Sequence, residues 1–394
     1  VVLNQDYASF GPVDAGSHQQ LLRCLEVSGD DSRGVLCADH HLGYGMPIGG
    51  VVASKTHIMP AGVGYDIACG NMAVRTDLSA ASIDVAAVMD EVAAKISFGV
   101  GRANDDPLRE HPVFDRIASC NVPVQRRMLE LARSQLGTVG SGNHYVDLFE
   151  DRADGRLWIG VHFGSRGFGH KTATHFLHEA GSTDDSMNAV PVAIPIKSNL
   201  AEQYLEAMEV AGEYAYAGRE WVVGKVLSIL GNPAVDVSVH NHHNFAWREI
   251  HDGEEWYVTR KGATPAFPGQ RGFIGGSMGD DAVIVEGVDS QESRAALYST
   301  VHGAGRVMGR MEARGKWKNG QCIREPRVDW KASRATVVGK GVELRGADAD
   351  EAPECYKRLP EVLAHHAGTI NILHTLRPIG VAMAGKEIVD PYKD

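Results

Sequence analysis

A chain of 394 residues, 43% of them hydrophobic, can bury a large core, either as two average domains or as one elaborate domain. No stretch approaches the roughly 20 apolar residues that span a bilayer, and the chain opens without a basic-then-apolar leader, so a soluble, cytoplasmic protein is expected. A formal net charge of −11 disfavours a protein that grips nucleic acid along an extended basic face; such a substrate would be held locally, by metal ions and a few arginines.

Glycine and proline punctuate the first 75 residues around short β-branched runs at 50–54 and 71–76, which predicts strands joined by loops. Residues 79–96 and 122–136 carry apolar side chains at helical spacing and predict two amphipathic helices. After a polar loop at 181–188, residues 197–230 form the longest helical pattern. It reads as two helices broken near Gly218, a lobe expected to carry little chemistry. Short strands with turns return over 235–286, a helix, glycine-rich break and helix follow over 291–314, and a late helix is expected over 360–375. With no repeat and no low-complexity linker, one α+β domain over 1–394 is the expected organisation. The six cysteines show no CxxC spacing, as in a reducing compartment.

Most of the 45 glycines sit in short motifs, and these motifs carry the chemical residues. Asp66 and Cys69 lie three apart in a glycine-rich turn, a carboxylate and a thiol that suit Zn²⁺ or Mn²⁺; the commoner origin of Asp-x-x-Cys alone is a structural cysteine beside a turn-capping aspartate. The loop 136–147 delivers Asn143 and His144 together, and its backbone N–H groups suit phosphate oxygens as well as an ordinary turn. His162 ends a short strand and is followed by Gly164-Ser165-Arg166-Gly167. His240, His242 and His243 crowd a strand-like run in which one or two should face a cavity, the alternative being a histidine-rich surface turn. His302 precedes Gly303-Ala304-Gly305-Arg306, which reads as a helix start whose N–H groups and arginine stabilise a phosphoryl group attacked by the histidine, or as packing glycines beside an incidental histidine. Gly275–Gly279 fits the G-x-S-x-G pattern of hydrolases, but a strand-like run follows it where a nucleophile elbow needs a helix. There is no GxxxxGK[ST] loop and no HExxH.

Together with residues 39–50, 260–269 and 377–380, these motifs, in this order, closely resemble the RtcB family of RNA ligases over essentially the whole chain. The resemblance implies mixed sheets around a dinuclear metal pocket flanked by helices. It implies Asp66, Cys69, His144, His162 and His243 as ligands of two Mn²⁺ ions with Cys69 bridging, and His302 as the residue bonded to GMP. It places Asn143, Asp147, Ser277, Gly303, Ala304, Gly305, Tyr356 and Lys386 against the guanylate, and Arg166 and Lys261 against RNA phosphates. Asp147 stands where the family has glutamate, and Lys386 is the nearest candidate for the family's terminal lysine. The implied activity joins an RNA 3′-phosphate or 2′,3′-cyclic phosphate to a 5′-hydroxyl with GTP as cosubstrate, in RNA repair or tRNA splicing. The implied protein is a monomer with no membrane partner, open to an activating protein. A metal-dependent phosphoesterase and a capping relative that does not ligate are the competing expectations.

Overall fold

In a computed structural model of the protein, residues 1–3, 7–182, 186–187, 189–318 and 321–386 are described. Part of the polar loop expected over 181–188, and the last eight residues, lie outside them. The fold is mixed α+β, built on two large sheets. The first orders its strands Val2–Leu3, Tyr7–Ser9, Arg33–His41, Ile48–Ser54, Glu254–Lys261 and Asn244–His251. The second runs Val235–His242, Gly70–Ser79, Arg156–Phe163, Tyr145–Asp151, Ile370–Met383, Ala282–Gly287 and Arg271–Ile274, with Glu343–Arg345 joining the Ile370–Met383 strand in parallel. The β-branched runs expected at 50–54 and 71–76 are central strands of these sheets. Both are almost wholly buried, as strands covered on two faces should be.

The two sheets meet at the turn around His243, which joins the last strand of one sheet to the first of the other. The backbone N–H groups of His243 and Asn244 both donate to the Cys69 carbonyl, at 2.8 and 3.3 Å, so the Asp66–Cys69 turn is pinned against this junction. A second irregularity has equal consequence. The pairing of Arg33–His41 with Ile48–Ser54 shifts register between Leu36 and His41, and this bulge re-aims the fully buried Asp39. Gly49 beside it has φ +75°, and a Cβ there would lie 2.8 Å from Asp39 Oδ1.

Four helical expectations are corrected. Residues 79–96 give the end of a strand, a 3₁₀ turn and then the helix Val85–Lys95, whose N-terminus is capped by Asp84. The pattern at 122–136 splits into Pro123–Arg126 and Leu129–Gln135 around Arg127 and Met128. The long pattern is one continuous helix, Asn199–Ile229, capped by the Ser198 hydroxyl. Gly218 does not break it; a Cβ there would lie in ordinary contact with the Phe163 ring, at 3.4 Å. The late helix is short, Leu359–Ala364, because Ile370 begins a 14-residue strand that pairs with Ala282–Gly287 and Tyr145–Asp151.

Candidate metal centre and active site

Five side chains from four separate segments converge where the sheets meet. The Cys69 thiol lies 3.3 Å from His162 Nε2 and 3.6 Å from His144 Nε2. His162 Nε2 lies 3.3 Å from His243 Nε2, and Asp66 Oδ2 lies 3.0 Å from His144 Nε2. Two groups of three result, Cys69 with His162 and His243, and Asp66 with Cys69 and His144, each with ligand atoms within 4.8 Å of one another. Cys69 belongs to both. Of the three histidines in the run 240–243, only His243 enters this cluster; His240 and His242 turn toward the long helix.

Hydrogen bonds on the far side of the rings fix which nitrogens face inward. His162 Nδ1 lies 2.9 Å from the Asn143 carbonyl and His144 Nδ1 lies 3.0 Å from the Val139 carbonyl. A carbonyl only accepts, so His162 Nδ1 carries the proton and its Nε2 presents a lone pair to the cluster. His144 Nδ1 lies between the Val139 carbonyl and the Arg166 guanidinium, and its Nε2 hydrogen-bonds Asp66. Burial holds His162 neutral, its pKa pulled down to about 3, with His144 adding to the effect. Asp66 is pulled the other way by burial, but its hydrogen bond and charge interaction with His144 win and lower it to about 2. Lone pairs, a carboxylate and a thiol facing one another at this spacing fit a divalent ion of borderline softness. The fit is tight: a methyl group on Gly164 would lie 2.2 Å from Asp66 Oδ1.

His302 adjoins the cluster, its ring centroid 4.8 Å from that of His243. The Asp39 carboxylate holds it twice through Oδ2, which accepts from Nδ1 at 2.6 Å and from the backbone N–H at 3.1 Å. Burial raises the Asp39 pKa, yet the His302 charge and these hydrogen bonds lower it more, so the carboxylate is ionised. Nδ1 of His302 is thereby the protonated nitrogen and Nε2 the basic one. The expected helix start at Gly303 is absent. Residues 302–309 form a loop, tied by bridges from Gly303 to Gly275 and from Arg306 to Tyr356, and the next helix begins at Arg310. Gly305 makes this loop possible: at φ +77°, a Cβ would sit 2.1 Å from the Asp39 carbonyl oxygen.

Metal cluster and His302 open into one cavity of about 1080 Å³, also lined by Asn143, Asp147, Ser277, Gly303, Ala304, Gly305 and Tyr356. Ser277 donates to Asp280 at 2.8 Å, and Arg306 reaches the Tyr356 hydroxyl at 3.0 Å while its guanidinium lies 5.0 Å over that ring. Burial drives the Asp147 carboxyl well above the usual carboxylate range, against a hydrogen bond from the Ala382 backbone. Its Oδ1 is buried with no partner among the described residues, an atom left for a ligand. Three expected contacts fall outside the cavity lining. Arg166 lies behind the site, its Nη1 3.1 Å from His144 Nδ1. Lys261 donates to the carbonyls of Tyr44 and Ala61, burial lowering its pKa to about 8. Lys386 is exposed. Sequence reasoning gave Asp39 no role, although the residue stands in a recognised motif; a carboxylate inside a strand run beside two histidines is the only signal it offers.

The family model described as tRNA-splicing ligase RtcB matches residues 20–384. The chain is 31% identical to the RNA-splicing ligase RtcB1 of Escherichia coli, over 93% of this chain and 94% of that protein. It is 30% identical to the RNA-splicing ligase RtcB of Mycobacterium tuberculosis, over 87% and 94% of the two chains. Against the tRNA-splicing ligase RtcB of Thermococcus kodakarensis the identity is 28%, over 88% and 87%.

Proposed function

The chain belongs to the RtcB family of RNA ligases, and from that premise we propose that it joins an RNA 3′-phosphate to a 5′-hydroxyl by passing GMP from GTP through His302. The observation that carries this reading is the Asp39–His302 pair, a histidine with one nitrogen committed to a buried carboxylate and the other left basic, beside a cluster of metal-type ligands. A phosphoesterase would need the cluster but not that pair.

His302 Nε2 attacks the α-phosphorus of GTP and the bond to pyrophosphate breaks, giving a phosphoramidate. Asp39 keeps the proton on Nδ1 and orients the ring during the attack. An oxygen of the RNA 3′-phosphate then takes the GMP from Nε2. The 5′-hydroxyl attacks the activated 3′-phosphorus, GMP leaves, and the freed Nε2 is the base within reach for the hydroxyl proton. Asp66, Cys69, His144, His162 and His243 would hold two divalent ions, Mn²⁺ in our reading, with Cys69 shared between them. When bound, these ions supply positive charge to the transferring phosphoryl group. Asn143, Ser277 and the loop Gly303-Ala304-Gly305 would face the guanylate, and Asp147 would meet it with the carboxyl oxygen that has no partner among the described residues.

The test is ligation of RNA with 3′-phosphate and 5′-hydroxyl ends, with Mn²⁺ and GTP. Joining is expected there and not with 3′-hydroxyl and 5′-phosphate ends; release of phosphate without joining would replace the ligase by a phosphoesterase. Asp39→Asn isolates the histidine orientation. An amide at this position favours the wrong tautomer, and guanylylation in a single turnover is expected to fall on the order of 10⁴-fold, as when a buried aspartate behind a catalytic histidine is neutralised. Metal content should be unchanged. An Asp39→Asn variant that takes up GMP at the wild-type rate would remove Asp39 from the mechanism.

A further inference from the structure

The long helix, expected to carry little chemistry, brings one charged side chain to the back of the metal cluster. Arg219 is fully buried. Its Nη1 donates to two backbone carbonyls, Ala68 at 3.0 Å and Phe163 at 2.6 Å. Nε donates to His240 Nε2 at 2.9 Å, and Nη2 lies 3.0 Å from His242 Nδ1. Ala68 immediately precedes Cys69, Phe163 immediately follows His162, and His242 immediately precedes His243. One guanidinium therefore touches the chain neighbour of three of the five candidate ligands. Tyr216, one turn earlier on the helix, stacks on His242 with ring centroids 4.0 Å apart and lies beneath the guanidinium at 5.2 Å.

The local backbone needs such a clamp. Ala68 has φ +60°, a left-handed conformation that a residue with a side chain keeps only where its surroundings impose it. Its N–H donates to the Asn244 carbonyl at 2.7 Å and its own carbonyl goes to Arg219, so the turn is gripped from both sides. Packing alone gives no reason for an arginine here. Burying a guanidinium is costly unless it is hydrogen-bonded, and here the groups that bond it adjoin the candidate ligands.

We propose that Arg219 is a positioning residue of the metal centre, holding the Ala68 and Phe163 carbonyls so that Cys69 and His162 meet at coordinating distance, and steadying the turn that bears His243. The proposal rests on reading the cluster as a metal centre. Partners of this kind behind metal ligands are worth about 10- to 100-fold in metal affinity.

The experiment is a Co²⁺ titration of the full chain, first stripped of metal, followed by absorption, with thermal melting of the metal-free protein alongside. The wild type is expected to show a thiolate-to-cobalt charge-transfer band. Arg219→Met should bind Co²⁺ about 10- to 100-fold more weakly with a diminished band, and its metal-free melting temperature should fall modestly, because four buried acceptors lose their donor. Wild-type affinity and spectrum in Arg219→Met would overturn the proposal, as would a lowered melting temperature with unchanged affinity, the signature of a merely structural role. Should Arg219→Met not fold, Arg219→Lys decides. A single ammonium keeps the charge but cannot hold both carbonyls and both imidazoles, so weaker binding is expected and wild-type binding overturns the proposal. A wild type that binds Co²⁺ with no thiolate band would sink the metal-centre reading itself, a result distinct from a failure of Arg219 alone.

Discussion

His302→Ala is expected to abolish RNA joining and GMP uptake while leaving the protein folded and its metal content intact. The side chain is 11% exposed at the edge of the cavity, and its removal frees Asp39 Oδ2 from one of two hydrogen bonds while the backbone N–H at 3.1 Å remains. The fold therefore loses little. The chemistry loses its nucleophile: the cavity histidines outside the metal-ligand set are His40, His41 and His302, and of these only His302 is held by a carboxylate, the other two bonding backbone groups. Joining of RNA already carrying a guanylylated 3′ end tests the division of labour. If His302 serves only to load GMP, the variant should still seal such ends in the presence of metal, at a rate lowered by no more than the roughly 10²- to 10⁴-fold contribution of a general base. Full activity of His302→Ala on unactivated ends would remove the covalent step.

The second large effect belongs to Cys69→Ala. Cys69 is the ligand common to both groups of three, so its loss should empty both positions, whereas Asp66→Asn should weaken one group more than the other. Metal analysis after dialysis reads this directly, and guanylylation should fall with the metal. Retention of one ion with normal guanylylation would argue against sharing. The thiol also sets the pH dependence of metal uptake. Burial, helped by the Asp66 carboxylate, pushes the Cys69 pKa well above its usual value, so the metal-free protein carries the thiol protonated at neutral pH. Asp66, at about 2, and His162, at about 3, are already in their ligating forms. Binding must therefore expel the thiol proton, and metal affinity is expected to rise with pH through the neutral range. Calorimetry of the wild type in two buffers of different ionisation enthalpy would detect the released proton; a binding heat independent of the buffer would contradict it.

How far the sequence disclosed this site depends on distance along the chain. Four of the five candidate metal ligands sit in compact glycine-rich motifs, readable because tight turns demand glycine next to the functional side chain, and the fifth, His243, stands in a run of histidines. Asp39 and His302 are 263 residues apart, and their pairing depends on a register shift in a strand that no local pattern announces. Arg219 was hidden for a related reason: in a 31-residue helix with buried residues on most turns, one arginine reads as a surface residue. Gly218 was misread as a breaker because a glycine's lost helix propensity, about 1 kcal/mol, is visible in sequence, and the burial along the helix that outweighs it is not. The helix expected at Gly303 failed for want of context, since the loop's path is set by the Asp39 carbonyl and by Tyr356. The strand Ile370–Met383 was masked in its first half by a helix-like run, and only its two neighbours in the sheet decide its conformation.

The central claim is a bond between His302 and GMP, and its most direct test is incubation of the metal-loaded protein with Mn²⁺ and α-labelled GTP, followed by acid or hydroxylamine. A label on the wild type that acid removes and hydroxylamine does not, mapped to the peptide containing His302, is the expected result. No label from any nucleotide, in a protein shown to bind metal, would contradict the ligase mechanism and leave the cluster to a hydrolytic reaction.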